Sequence, residues 1–354
     1  MSRTRLLVVG GGQSGLAAAR AGRDRGWEPV VLEAGAEPVG SWPSYYDSLR
    51  LFSPRQFSSF PGYEFPGPAD DYPTRDEVVE YLRGYASWLG VDIRTRSPVA
   101  DVTVDSAGAF TAHLADGDAV SGGALIAASG SFANPYIPQV AGHDAFAGRV
   151  LTVADYRSPE PFAGKRVVVV GAGNSAVQVG YELAQRADVT LAVRDRVRMV
   201  SQIVAGRDLH WWLRLTRADL LPPALLSRVV TGTPVIDTGR YQHALHSKLL
   251  GQRPMFAAFT PDGVVWPDGS QERIDAVIFA TGYRPYLPYL DSLGALDASG
   301  LPRHQHGISR VQPGLGFLGL EFQRTFSSNT LRGVHRDAGF VVDALAQPRR
   351  AAVG

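Results

Sequence analysis

Four short runs of apolar residues stand out: Leu6 to Val9, Pro29 to Leu32, Val167 to Val170 and Val189 to Val193. Each is too uniformly apolar for a strand with one wet face, so the pattern predicts strands buried on both sides. Between the members of each pair the period changes from continuous to helical, with a predicted helix over Ser175 to Arg186 in the second pair. A further helix is expected from Arg75 to Leu89, where Val78, Val79, Leu82, Tyr85 and Ala86 form one apolar face and Thr74 with Glu77 reads as a capping box. From Val99 to Gly130 the pattern becomes short alternating strands around an Asp116-Gly117 turn, followed by the buried strand Ala124 to Ala128. The same order recurs later, with a turn at Asp268-Gly269 and a buried strand from Val277 to Ala280. Turn and closing glycine (Gly130, Gly282) are equally spaced in both copies. The repeat therefore covers a whole unit of βαβ, meander and closing strand.

The turns inside the two βαβ units carry the chemistry. Gly10, Gly12 and Gly15 follow the first strand, and Gly171, Gly173 and Ala176 follow its counterpart, both fitting G-x-G-x-x-G/A. The first small residue permits the tight turn, the second lets the backbone approach a pyrophosphate, and the third keeps the helix near the strand. Free N–H groups at the helix start then face the anion. The next strand ends at Glu33 in one copy and at Arg194 in the other. A carboxylate there accepts hydrogen bonds from ribose hydroxyls, as for FAD, whereas an arginine favours a 2′-phosphate, as in NADPH.

Composition narrows this picture. The chain has 354 residues, enough for two domains, and a net charge of +1, which gives no global argument for nucleic acid, and no nucleic-acid partner is expected. No apolar run is long enough to span a bilayer, and the Met1 to Arg5 start leaves no room for a cleavable signal, so no membrane partner and a cytoplasmic location are expected. There are no cysteines. A redox-active cysteine pair beside a flavin is thereby excluded within the chain, as is thiolate ligation of a soft metal, and no metal site is expected.

Several segments admit two readings. The stretch Leu51 to Gly62, inside a long irregular segment from Pro43 to Pro73, either lines a flavin or covers the sheet. An insertion from Met199 to Lys248 contains Gly206 to Leu215, an aromatic, basic helix. It is either a lid or membrane-surface contact, or, the favoured reading, an element that Trp211 and Trp212 anchor to the adjacent domain. Asp208 and His210 are too close in sequence to face each other if helical, so they are not assigned as a catalytic pair. Gly316 to Leu320 reads as a buried strand returning to the first sheet, and the polar turn after it, Glu321 to Gly333, precedes a closing helix from His335 to Ala346. In that turn Ser328 and Asn329 either help present backbone amides to a flavin or cap the helix.

Taken together, Gly10 to Gly15, Glu33, Gly40-Ser41-Trp42, Ala128 to Gly130, Gly164 to Ala176 and Ala280 to Pro285 resemble the class B flavoprotein monooxygenases, the flavin-containing, Baeyer-Villiger and N-hydroxylating enzymes. The stretches Gly40 to Pro54 and Ser327 to Gly333 look most like the compact bacterial branch that includes flavin monooxygenases of arsenic-resistance operons. The resemblance implies an α/β fold of two Rossmann-like dinucleotide-binding domains, with the NADPH domain inserted in the FAD domain. The expected boundaries are residues 1–156 and 285–354 for the FAD domain and 157–284 for the NADPH domain, the latter with a helical insertion at about 199–248. It implies FAD and NADPH as cofactors, O2 and a small molecule as substrates, and transfer of one oxygen through a flavin C4a-hydroperoxide. Gly10, Gly12, Gln13, Ser14, Gly15, Glu33, Ala34, Gly40, Ser41, Trp42, Val99, Ala128, Ser129, Gly130, Gly319, Ser328 and Asn329 are the candidates on the flavin side. Gly171, Gly173, Asn174, Ser175, Arg194, Thr281 and Gly282 are those on the nicotinamide side. No catalytic side chain is assigned, and the oligomeric state is left open, a homodimer being one option.

The chain departs from the family at one point. In the fingerprint F-x-G-x-x-x-H-x-x-x-Y/F-R, Phe146, Gly148, Tyr156 and Arg157 fit, but Thr152 stands in the histidine position. Two alternatives therefore stay beside the monooxygenase: an NADPH-dependent flavin reductase or oxidase without productive oxygenation, and a nucleotide-binding sensor without turnover.

Overall fold

The computed structural model describes residues 4–222 and 234–346; Met1 to Arg3, residues 223–233 of the expected insertion and residues 347–354 lie outside it. Two sheets organise the described residues. In the first, β1 (Arg5–Val9) pairs in parallel with β2 (Glu28–Leu32) on one side and β7 (Ala124–Ala127) on the other. β3 (Asp92–Arg94) extends it beyond β2, and the strand Leu315–Phe317 joins β7 in parallel, which is the expected return of the chain. In the second, β9 (Arg166–Val170) lies between β10 (Asp188–Val193) and β19 (Ala276–Phe279), with β15 (Gly251–Pro254) at one edge. The order of the four central strands is thus the same in both sheets.

The other edge is formed by a strand from earlier in the chain. β8 (Arg149–Thr152), expected within the first unit, pairs in parallel with β19. A short strand is allotted by its neighbour in the sheet, which position along the chain does not reveal.

Both sheets are buried on two faces, and the pleat decides which residue goes where. Leu6 and Val8 face α1 (Gln13–Asp24), α2 (Arg75–Leu89) and the closing helix Val334–Ala346, while Leu7 and Val9 face a three-stranded antiparallel sheet, β4 (Val99–Val104), β5 (Phe110–Leu114) and β6 (Ala119–Gly122). In the second unit Val167 and Val169 face α3 (Asn174–Leu183), and Val168 and Val170 face the matching meander, β16 (Ala258–Thr260), β17 (Gly263–Val265) and β18 (Gln271–Arg273). α2 spans the expected residues, opens on the Thr74/Glu77 capping box and stops at Gly90, whose φ of 65° only glycine adopts at little cost.

Among its described residues the insertion mixes short strands with helices, one of them Arg240–His246. β11 (Met199–Ser201) pairs with β14 (Val235–Asp237), β12 (Ile203–Val204) and β13 (Arg207–Asp208) form a hairpin, and α4 (Leu209–Thr216) follows. Trp211 and Trp212 are not its anchors. They are half-buried and meet each other edge-on, whereas His210 is 2% exposed and stacks against Phe52 and Phe57. Asp208, capping α4 from outside, turns the helix so that position 210 points inward.

Candidate active site

Both glycine turns open on one cleft of about 2330 Å³, more than twice the ~1,000 Å³ of a large single-ligand pocket. Local backbone demands explain the small residues. Gly10 has φ +105°, and a Cβ there would lie 2.8 Å from the Ala128 carbonyl oxygen; one at Gly15 would lie 1.8 Å from the Gly10 carbonyl oxygen. Gly171 has φ +142°, and a Cβ there would lie 2.4 Å from the Ala280 carbonyl oxygen. Gly173 differs: a side chain there would project into open space.

The helix starts are equally telling. α1 and α3 begin at Gly12 and Gly173 with no side chain capping them, whereas α2 and α4 are capped by Thr74 and Asp208. The helices that open from the two glycine turns thus keep first-turn N–H groups free of side-chain caps, a surrounding suited to a pyrophosphate.

The strand ends set opposite charges at the two turns. Glu33 accepts from the Gly11 amide at 2.5 Å and the Gly35 amide at 2.6 Å, which fixes its carboxylate beside the first turn. Each oxygen retains a lone pair for a further donor. Arg194 is exposed at the tip of β10, Arg196 follows it, and neither pairs with a carboxylate among the described residues.

Between the turns the wall is aromatic. Trp42 donates to Gln13 Oε1 at 3.1 Å, and Gln13 Nε2 donates to the Asn329 carbonyl at 2.6 Å, tying α1 to the polar turn. Tyr45, Phe132 and Tyr283 meet edge-on across the cleft. Burial and the nearby Asp155 carboxylate push the Tyr283 hydroxyl up to about 12, so it stays a neutral donor. The irregular segment divides: Leu51, Phe52 and Ser53 border the cleft, while Phe57, Phe60 and Phe65 are buried in the body.

The chain matches the profile of the family described as pyridine nucleotide-disulphide oxidoreductase over residues 7–213, more than half its length. It is 32% identical to indole-3-pyruvate monooxygenase YUCCA1 of Oryza sativa subsp. japonica, over 86% of this chain and 82% of that one. It is 29% identical to an uncharacterized CzcO-like oxidoreductase of Geobacillus kaustophilus (strain HTA426), over 96% and 97%. Among solved structures it superposes on the flavin-containing monooxygenase from Stenotrophomonas maltophilia with a TM-score of 0.84 and 30% identity, covering 98% of each chain. The chain belongs to the class B flavoprotein monooxygenases. It is an NAD(P)H-dependent oxidoreductase of a family whose cofactors are FAD and NADP, and with no cysteine it holds no redox-active cysteine pair of its own. No helix among the described residues is long and apolar enough to cross a membrane.

In this monooxygenase the nominated positions gather around the cleft, with two exceptions. Gly15 lies behind it, serving helix–strand closeness. Ser328 is fully buried, and its Oγ accepts from the Arg324 and Thr325 amides at 3.0 and 2.9 Å, so it closes a turn and faces no cofactor space. Asn174 borders the cleft, but its Oδ1 accepts from the Ile236 amide at 3.1 Å. The sequence motifs missed Arg196, Tyr45 and Tyr46, which also border it; only the alternation of Arg194 and Arg196 gave a signal. At the fingerprint position, Thr152 Oγ1 and its amide both donate to Asp155 Oδ2, at 2.7 and 2.9 Å.

Asp208 and His210, too close to face each other if both were helical, meet because Asp208 is not. Asp208 has φ −59° and ψ 144°, outside the helix, and its Oδ1 accepts from His210 Nδ1 at 2.8 Å. Its Oδ2 accepts from Tyr72 at 2.6 Å. Burial raises the Asp208 pKa, but the bonds from His210 and Tyr72 outweigh it and hold the carboxyl below its usual range.

Proposed function

We propose that this monooxygenase holds FAD at the Gly10 turn, draws a hydride from NADPH at the Gly171 turn, and places one oxygen atom of O2 on a small soft nucleophile or carbonyl. The second oxygen leaves as water, so NADPH, a proton, O2 and substrate become NADP+, oxygenated substrate and water. Two duplicated turns, each opening an uncapped helix onto one shared cleft, carry this reading. When bound, the flavin accepts the hydride and activates O2.

The chain's own residues bind, orient and exclude. First-turn amides of α1 and α3 take the pyrophosphates, Glu33 the adenosine ribose, and Arg194 with Arg196 the 2′-phosphate. Ser129, whose Oγ bonds Tyr289 at 2.7 Å, and Gly130 flank the first site, and Thr281 and Gly282 the second. Trp42, Tyr45, Phe52 and Phe132 keep water from the reacting centre, a condition for oxygen transfer to outrun peroxide loss. No side chain serves as a nucleophile.

The test is turnover of the purified holoprotein with NADPH under 18O2 and thioanisole, a tertiary amine or a ketone as probe. The expected product carries a single 18O. NADPH consumption yielding only hydrogen peroxide with every probe would favour a reductase or oxidase, the reading that Thr152 in place of the fingerprint histidine supports. Failure of NADPH to bleach the flavin without air would favour a sensor.

A further inference from the structure

One end of the cleft holds charge that neither dinucleotide turn uses. Arg332, in the turn before the closing helix, has a side chain 9% exposed and borders the cleft. Its Nε has no hydrogen-bond partner, and its ion pair to Asp219 is loose, at 3.6 Å. Arg336 competes for the same Asp219 oxygen at 3.5 Å. Two guanidinium groups thus share one carboxylate in a space where an unsatisfied cation is costly. A guanidinium offers five donors in a planar fork, which a carboxylate fits with two parallel bonds.

A second orphan lies nearby. His210 also borders the cleft, and its Nε2 is buried without a partner while Nδ1 is held by Asp208. Burial lowers the His210 pKa against the hydrogen bond to Asp208, and the charge on Arg332 lowers it further. The free ring is therefore neutral, with its Nε2 lone pair unused. Around this polar end Phe52, Leu209, Leu213 and Leu221 supply apolar wall.

The geometry points to a substrate-recognition recess for a small organic acid: Arg332 takes the carboxylate of an otherwise apolar or aromatic substrate, and His210 completes the contact. Arrival of the anion offsets the repulsion from Arg332, so the imidazole takes up a proton and Nε2–H donates to the second carboxylate oxygen. Asp208 stabilises the resulting imidazolium. Asp219, Arg336 and Tyr72 are the other ionisable groups facing this pair. The inference rests on the oxygenation cleft proposed above and names the class of molecule it admits.

Calorimetric titration of the oxidised holoenzyme with phenylacetate and with phenylacetamide tests the recess without turnover, so a failure of oxygenation is read separately. Phenylacetate should bind about tenfold or more tightly than the amide, with proton uptake and an affinity that falls as pH rises. Arg332→Gln should lose about tenfold for the acid and leave the amide within about threefold. Arg332→Lys should keep most of the preference, and Asp219→Asn, which removes the competing carboxylate, should strengthen acid binding. Equal binding of acid and amide by the wild-type protein would overturn the assignment. So would loss of FAD from both the Gln and the Lys variants, which would make Arg332 a cofactor ligand.

Discussion

The two glycine turns share a strand order and a helix start, yet they are packed differently. At the Gly10 turn the backbone is hemmed in: a Cβ on Gly12 would meet Gly40 at 3.2 Å, and one on Gly11 would meet Glu33 at 2.9 Å. At the Gly171 turn the first glycine is packed as closely, but Gly173 looks into open space, and the charges beside it, Arg194, Asp195 and Arg196, are exposed. A crowded turn with an anchored carboxylate suits a cofactor that stays, and an open one with free cations suits a cofactor that comes and goes. Duplication supplied the scaffold, and the packing around it distinguished the uses.

The sharpest way to break this comparison is to exchange the third small residue. Gly15→Ala forces a methyl into the Gly10 carbonyl and should cost ~3 kcal/mol or more, leaving little folded, flavin-bound protein by absorbance and thermal melting. Ala176→Gly, the reciprocal change in a turn that already accepts a methyl, should cost only about 1–2 kcal/mol. Similar losses in the two variants would show that the turns are mechanically equivalent.

Next in size is the charge contrast. Arg194→Ala should weaken NADPH by about 10- to 100-fold while changing NADH only a few-fold, measured as the concentration dependence of anaerobic flavin reduction. Equal losses for both nucleotides would remove the 2′-phosphate from the account.

A pH effect should follow from the helix behind the first turn. Burial, with the charges of Arg336 and Arg20, pulls His335 down to about 4. The unfolded chain therefore binds more protons between that value and the ordinary ~6.5, and the stabilisation, complete above the higher value, is lost as pH falls through the interval. Discounted for partial exposure, the loss from pH 7 to pH 4 should be about 1–2 kcal/mol, and His335→Gln should flatten the dependence of the melting temperature. Smallest, Thr74→Ala should cost about 1 kcal/mol through the lost capping box and leave both nucleotide affinities unchanged.

Much of the architecture was legible because its determinants are local. Burial of β1 and β9 follows from runs of valine and leucine, α2 from its spacing and cap, and the turns from glycines at fixed offsets. The misreadings share a cause. Asp208 and His210 looked unable to meet only while Asp208 was counted as helical, and one extended residue brings them together. Ser328 had the composition of a ligand and was spent on amides three and four residues away.

By itself, then, the order of amino acids determined the duplicated βαβ and meander units, the two glycine turns and the opposite charges at their strand ends, since periodicity, glycine tolerance and side-chain charge act within a few residues. Only the tertiary structure decided which sheet takes Arg149–Thr152, how tightly each turn is packed, and that Arg332 and His210 end in one recess. Those outcomes depend on contacts between residues far apart in the chain, where desolvation and close packing, absent from any local pattern, set the energy.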